Sequence, residues 1–306
     1  MDINQPIHEA TARDYFSLLK PRVMLLVVFT AIAGMWVAPG SLDPVMAAIA
    51  VLCIAINAGA AGAINMWYDR DIDAVMTRTQ KRPIPAGKIA ADDVLAFGIG
   101  LSVFSAGLMG LVTNWTAAAL LVAANAFYVF IYTVWLKRST PQNIVIGGAA
   151  GSFPPMIGWA AVTGDVTLAS AALFLIIFLW TPPHFWALAL YHKGDYSAAK
   201  IPMLPVVAGR KATTRQMLVY TLLLFPVVLA PWYLGTAGLF YAASACVLSS
   251  LFLLCAIRVM LEYKKVEPDH KPAKQMFGYS IIYLFGLFAV LMMDRTDGLT
   301  LVTGWM

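Results

Sequence analysis

Asn65, Asp69 and Asp73 recur at four-residue spacing where an apolar stretch runs into a basic one, AGAINMWYDRDIDAVMTRTQKRPIPAGK over residues 61–88. On an α-helix, positions i, i+4 and i+8 drift only about 80° around the axis, so the three oxygen-bearing groups form one stripe. Such a stripe suits Mg2+, which takes few protein ligands and completes its shell with water and substrate phosphates. Arg78, Lys81 and Arg82 follow at once, and cations of this kind bind phosphate oxygens. Asp71 lies roughly 200° from Asp69 around the same helix, so it is expected to be solvated, paired with Arg70 or Arg78. A metal-binding stripe beside three cations, at the end of an apolar helix, implies a site for a lipid diphosphate.

A second stretch, WTPPHFWALALYHKGDYSAAKIPMLPVVAGR over residues 180–210, also runs from an apolar segment into a polar one. Asp195 is its lone carboxylate, with His192 and Lys193 close by. His184 follows Pro182 and Pro183 at a depth where an ionisable side chain is costly and needs a partner. Its two readings are a neutral imidazole hydrogen-bonded to a neighbouring helix and a functional ligand.

The elements that must position these residues are membrane helices. With 60% hydrophobic and 12% charged residues in a chain of 306, and a mean hydropathy of +0.75, an ordinary soluble domain is excluded. Nine apolar stretches are long enough to span a bilayer: 23–39, 44–68, 94–112, 115–136, 144–162, 168–190, 216–234, 239–260 and 279–293. The connections between them are too short for a separate globular domain. The expected fold is all-α and polytopic, nine transmembrane helices around a central cavity opening to the cytoplasmic side. The expected organisation is one membrane domain over 1–306, with 1–20 as a cytoplasmic N-terminal segment.

With nine spans, the N-terminus and the loops after spans two, four, six and eight share one side. Of the 21 Lys and Arg, all but Arg295 fall there. The positive-inside rule places that side in the cytoplasm and the C-terminus opposite, which fits a cytoplasmic (inner) membrane. The formal charge of +5 is then a one-sided layer suited to anionic headgroups and phosphate substrates. Nucleic acid is not an expected partner, since no folded reader surrounds the basic loops. Acidic Asp2, Glu9 and Asp14 precede the first apolar run, unlike a signal or transit peptide. Cys53, Cys246 and Cys255 lie inside spans without metal spacing and read as small apolar packers. Asn125, within span four, either lines a cavity or bonds a neighbouring helix.

The first stretch resembles the UbiA-type intramembrane prenyltransferases, whose first signature is N-D-x-x-D-x-x-x-D. NMWYDRDIDAVMTRTQKRPIPAG, the early KPRV at Lys20 to Val23, and TPPHFWALALYHKGDYSAAKIPMLPVV resemble more closely the heme O synthase, or protoheme IX farnesyltransferase, branch. These motifs cover about a fifth of the chain, and the nine-span layout is the family's over its whole length. Met66 stands where the general signature has its first Asp, leaving Asn65, Asp69 and Asp73 as the implied Mg2+ ligands. The second signature is thinned to Asp195, which puts a second complete Mg2+ site in doubt. The resemblance implies transfer of a farnesyl group from farnesyl diphosphate to a vinyl group of heme B, giving heme O for terminal oxidases. Asn65, Asp69, Asp73 and Asp195 are then the implied catalytic residues. Arg78, Arg82, Lys137 and Lys193, with Arg22 at the start of span one, are the implied diphosphate ring. His184 falls in the stretch that marks the branch, which implies a heme ligand. Tyr128, Tyr132, Phe185 and Trp186 are aromatic faces able to stabilise an allylic cation. Heme A synthase or a terminal oxidase are the implied partners, beside the lipid bilayer.

Three rival readings remain. A prenyltransferase acting on an aromatic or quinone precursor would share the first motif but not the PPHFW stretch. A transporter for an organic anion or heme would share the one-sided basic layer but has no need of the Asn-Asp-Asp stripe. A bis-His cytochrome is poorly served by four His, of which His184 and His192 alone lie near a span.

Overall fold

The computed structural model describes residues 10–296, except the side chain of Arg22. Its helices are α1 (Ala12–Leu18), α2 (Pro21–Val37), α3 (Pro44–Tyr68), α4 (Arg70–Val75), α5 (Ala91–Val112) and α6 (Trp115–Ala126). A π-helical segment, Phe127–Leu136, extends α6 into α7 (Lys137–Ser139). Then come α8 (Asn143–Gly147), a 3-10 turn (Gly148–Ser152), α9 (Phe153–Thr163), α10 (Leu168–Tyr191), α11 (Lys193–Ala198) and α12 (Leu204–Val207). The chain closes with α13 (Gly209–Val227), α14 (Ala230–Tyr233), α15 (Leu239–Glu262) and α16 (Lys271–Met293). Among the described residues there is no named strand, only an isolated bridge between Ala237 and Arg295.

Among the described residues, eight helices are long and apolar enough to cross a membrane, and they match eight of the nine expected spans. The first expected span differs. Its helix α2 has 17 residues and meets α1 at a 60° bend, so a ninth span exists only if that bent pair counts as one. Two helices also begin earlier than hydropathy suggests, at Gly209 and Lys271. Hydropathy marks the apolar part, whereas backbone hydrogen bonding carries the helix on into a turn bearing Arg210, Lys211 and Lys274, whose long stems can reach water.

Two buried clusters hold the bundle. One joins α2, α10, α13, α15 and α16 through residues such as Trp180, Trp186, Tyr241, Phe252 and Phe288. The other joins α2, α3, α5, α6 and α9 through Ala31, Ile54, Met109, Leu121 and Ile157. Helix α2 belongs to both because small residues let it lie close to α9. A Cβ at Gly34 would collide with the Pro155 carbonyl, and one at Gly158 with that of Ala31. In a bilayer, where lipid is as apolar as Leu, such close backbone contact is what drives helix association. Polar ties add to it: Asn125 Nδ2 donates to Asn57 Oδ1 at 3.1 Å and to Ser102 Oγ at 3.0 Å, joining α6 to α3 and α5. Val103, Leu111, Ile282 and Phe285 point outward, as a lipid-facing surface requires. The chain is an integral, multi-pass membrane protein.

Candidate active site

The acidic stripe sits on a break between two helices. Asp69 ends α3 and begins α4, where the sequence alone suggests one continuous helix. The ladder survives the break: Asp69 N–H donates to Asn65 O at 2.9 Å and Asp73 N–H to Asp69 O at 2.8 Å. The three side chains therefore stay on one side. All are buried, with Asp69 at 0% exposure and Asp73 at 2%. Charged groups at that depth need partners, and each carboxylate has one. Asn65 Nδ2 donates to Asp69 Oδ2 at 2.6 Å and to Thr133 Oγ1 at 3.2 Å. Lys137 Nζ pairs with the same Asp69 oxygen, and Arg138 approaches the other at 3.4 Å. Arg82 pairs with Asp73 at 2.6 Å. Thr79 Oγ1 donates to the Asp73 carbonyl at 3.0 Å, which folds the loop back and returns Arg82 to the stripe.

Asp71 faces away, as its angle requires, but its partner is neither Arg70 nor Arg78. Arg138 donates to both of its oxygens, at 2.8 and 2.7 Å, and these bonds hold the carboxyl below the usual carboxylate range. Arg70 instead donates to the Trp67 carbonyl at 2.7 Å. Local spacing could not supply this correction, because α7 brings Arg138 to α4 from 67 residues away.

The second stretch meets the first. Asp195, in α11, accepts from Thr77 Oγ1 at 3.1 Å, and His192 Nδ1 lies 3.7 Å from it. Beneath them Ile72 and Met76 pack with Tyr196, Ile201 and Met203 in one buried cluster. The ends of α3, α6 with its π-helical extension, and α10 thus converge on one face. Burial first, and then the charge of Arg78, push the His192 imidazole below its usual range. Arg78 is exposed at the junction of the two stretches. Lys193 is exposed on α11, with no hydrogen bond or ion pair among the described residues. Arg22 belongs to α2, but its side chain lies outside the described residues.

The remaining candidates divide. Tyr128 and Tyr132 lie on the π-helical segment with ring centroids 5.4 Å apart, on the element that carries Thr133 to Asn65 and leads to Lys137. Trp186 is fully buried against Tyr220 of α13, and Phe185 is 37% exposed. His184 is buried between Trp180 and Phe277, with centroids at 4.3 and 4.7 Å, and its Nδ1 lies 2.6 Å from Ser280 Oγ on α16. Ser280 Oγ donates to the Phe277 carbonyl at 2.6 Å. Its proton is therefore engaged, so His184 Nδ1–H is the donor in the pair and Nε2 keeps its lone pair.

The donor set fits Mg2+ of a particular kind. Two buried carboxylates and one amide suit an ion that brings water and phosphate oxygens for the rest of its octahedron. A self-sufficient protein cage is absent: no group of three His, Cys, Asp or Glu able to hold a metal occurs among the described residues. Sequence spacing passes over four residues of this site. Lys20 bonds Asn65, Thr133 bonds Asn65, Arg138 bonds Asp69 and Asp71, and Thr77 bonds Asp195. For both Lys20 and Arg138 a signal was available: Lys20 opens the KPRV stretch, and Arg138 follows Lys137. The threonines carry none.

The chain has known relatives. The model of the UbiA prenyltransferase family matches residues 27–281. A protoheme IX farnesyltransferase of Agrobacterium fabrum is 58% identical, over 94% of this chain and 91% of its own length. One of Rhizobium rhizogenes is 56% identical, over 98% and 95%. The chain belongs to the UbiA prenyltransferase family, in its protoheme IX farnesyltransferase branch. Solved structures of the family share the fold at low identity. A digeranylgeranylglyceryl phosphate synthase superposes with a TM-score of 0.75 at 18% identity, covering 92% of this chain and 97% of that one. A UbiA homolog from Archaeoglobus fulgidus bound to DMAPP and Mg2+ gives 0.65 at 16%, covering 90% and 99%.

Proposed function

We propose that this protein transfers the farnesyl group of farnesyl diphosphate to a vinyl group of heme B, with addition of water, giving heme O and diphosphate. The observation that carries the reading is the buried pair Asp69 and Asp73, matched to Lys137 from α7 and to Arg82 from the loop after α4, in a chain 58% identical to a named protoheme IX farnesyltransferase. Asp69 and Asp73, with Asn65, would hold Mg2+, which would neutralise the diphosphate and make it a better leaving group. Arg82 and Lys137 bind phosphate oxygens, Arg bidentately and Lys as a point charge. Arg78 and Lys193 are the outer members of that ring, and Arg22 joins it on the family resemblance alone. Asp195, held by Thr77, fixes the second loop against the first.

Departure of diphosphate breaks the allylic C–O bond and leaves a farnesyl cation. The heme vinyl attacks it, forming the new C–C bond, and water captures the resulting cation, losing a proton as the hydroxyl forms. Tyr128 and Tyr132 offer their ring faces to the cation. The fifteen-carbon tail contributes on the order of 10 kcal/mol of burial at about 0.8 per carbon, taken up in a central cavity between the helices. His184 Nε2 is the heme contact. The acidic face lies in the cytoplasm of a cell with this protein in its inner membrane, and the product passes to a heme A synthase or a terminal oxidase.

The test is direct. Purified protein in lipid, given heme B, farnesyl diphosphate and Mg2+, forms heme O, read by mass spectrometry, and EDTA stops it. Transfer to an aromatic acid but not to heme B would overturn the reading.

A further inference from the structure

Lys20 touches the site at Asn65 but has so far been given no function there. It is the hinge of the α1–α2 elbow, at φ 51° and ψ 56°, a left-handed conformation that costs a residue with a Cβ, and Pro21 begins α2 at once. Packing holds the elbow in place. Leu18 is fully buried with Ala63, Met66, Ile89 and Val94. The Tyr15 ring meets Phe97 edge-on at 5.1 Å, and Lys88 pairs with Asp14 at 3.2 Å.

Helix α3 offers the elbow a groove of two glycines. A Cβ at Gly59 would stand 2.9 Å from the Cβ of Leu19. One at Gly62 would lie 3.5 Å from Cδ of Lys20 and 3.6 Å from its Nζ. The lysine stem thus runs along α3 and delivers its ammonium to Asn65 Oδ1 at 3.3 Å.

The charges acting on that ammonium are Arg82, Lys137, Asp73 and Asp69. Asp69 already pairs with Lys137 and Asp73 with Arg82, so Lys20 is left with a neutral amide as its hydrogen-bond partner. Cations outnumber carboxylates in this half-buried corner, and an uncompensated ammonium out of water is costly. The corner is short of an anion.

We propose that Lys20 is a diphosphate-binding residue, a cation delivered by the α1–α2 elbow to the prenyl diphosphate held at Asn65, Asp69 and Asp73. This rests on the diphosphate site proposed above. Lys20 would donate to the phosphate oxygens in the bound substrate and as they leave, and the strained hinge is what lets so short a segment reach them.

The test uses the full chain in lipid with Mg2+ and two variants, Lys20→Gly and Lys20→Arg. Glycine prefers the left-handed hinge, so Lys20→Gly removes the charge while favouring the elbow. It should raise both the KM for farnesyl diphosphate and the inhibition constant of inorganic pyrophosphate about tenfold or more. The KM for heme B should stay within about twofold and the melting midpoint should not fall. Lys20→Arg should recover most of the pyrophosphate affinity. If Lys20→Gly proves unstable, Lys20→Met, which keeps the stem, is read the same way. Unchanged pyrophosphate inhibition would overturn the proposal, as would equal losses for heme B and farnesyl diphosphate. Asp69→Asn, measured alongside, separates the two readings. If it too leaves pyrophosphate inhibition intact, the diphosphate site itself is misplaced. If it abolishes inhibition and Lys20→Gly does not, the role of Lys20 alone is wrong.

Discussion

Asp69 and Asp73 are both buried and both meet a cation, Lys137 from α7 and Arg82 from the following loop, so neutralising either strands a positive charge. Asp69→Asn or Asp73→Asn should therefore lower turnover by about a hundredfold or more, since each removes a ligand charge while keeping the shape. Asp71→Asn should cost under about threefold. Its side chain is 61% exposed and its pair with Arg138 is a surface pair of small worth. Steady-state rates of the three variants in one lipid preparation decide the matter, and comparable losses at all three would refute the stripe. His184 poses a different question, because its hydrogen bond to Ser280 already accounts for a buried neutral imidazole. A ligand role needs the Nε2 lone pair, which the Ser280 bond leaves open. His184→Ala should weaken heme binding and abolish its Soret shift while Mg2+-dependent farnesyl diphosphate binding persists. If heme binding is unchanged and only the melting midpoint falls, His184 is a packing residue.

The element that sequence patterning missed is the π-helical segment Phe127–Leu136. Its residues, FYVFIYTVWL, are aromatic and β-branched, which disfavours the α-helix, but hydropathy cannot tell one helix type from another. Long π segments are rare and concentrate at functional sites. Here it carries Tyr128, Tyr132 and Thr133 and ends where Lys137 begins. Gly147 of α8 makes room for it, since a Cβ there would collide with the Tyr132 ring. Gly147→Ala should destabilise the fold by about 1–3 kcal/mol through overpacking and cut turnover by displacing Tyr132. Gly147→Ala with Tyr132→Leu should regain much of the stability without the turnover, as thermal melts and rate assays would show. Recovery of neither would mean that this contact does not shape the site. The break at Asp69 was equally illegible: i, i+4, i+8 spacing reports a common face whether or not the helix continues. Arg138 pairing with Asp71, and Thr77 with Asp195, depend on tertiary approach that no local pattern encodes.

At the scale of the molecule, nearly all of the spans could be read from hydropathy, because a bilayer demands about 20 apolar residues for each crossing helix. The first expected span, 23–39, coincides with α2 but stays open, because α2 has only 17 residues and bends by 60° from α1. Which ends share a face was also legible, since spans two, four and six must emerge together. Their contacts bear this out, with Asp69 on Lys137 and Thr77 on Asp195. The cytoplasmic orientation proposed for that face rests on charge: in the nine-span layout all Lys and Arg but Arg295 lie toward it, and moving such a layer outward would oppose the positive-inside bias. Single cysteines placed in a cysteine-free background should therefore react with a membrane-impermeant maleimide from the cytoplasmic side at the loops bearing Arg78, Lys137, Asp195 and Lys265. Cysteines beside Asp43 and Asp165 should react from outside. Removing Cys53, Cys246 and Cys255 to build that background is tolerable, since they are free thiols inside spans and no disulfide is lost. Labelling of the Arg78–Lys88 loop from outside would sink the orientation, and with it the cytoplasmic source of the diphosphate substrate.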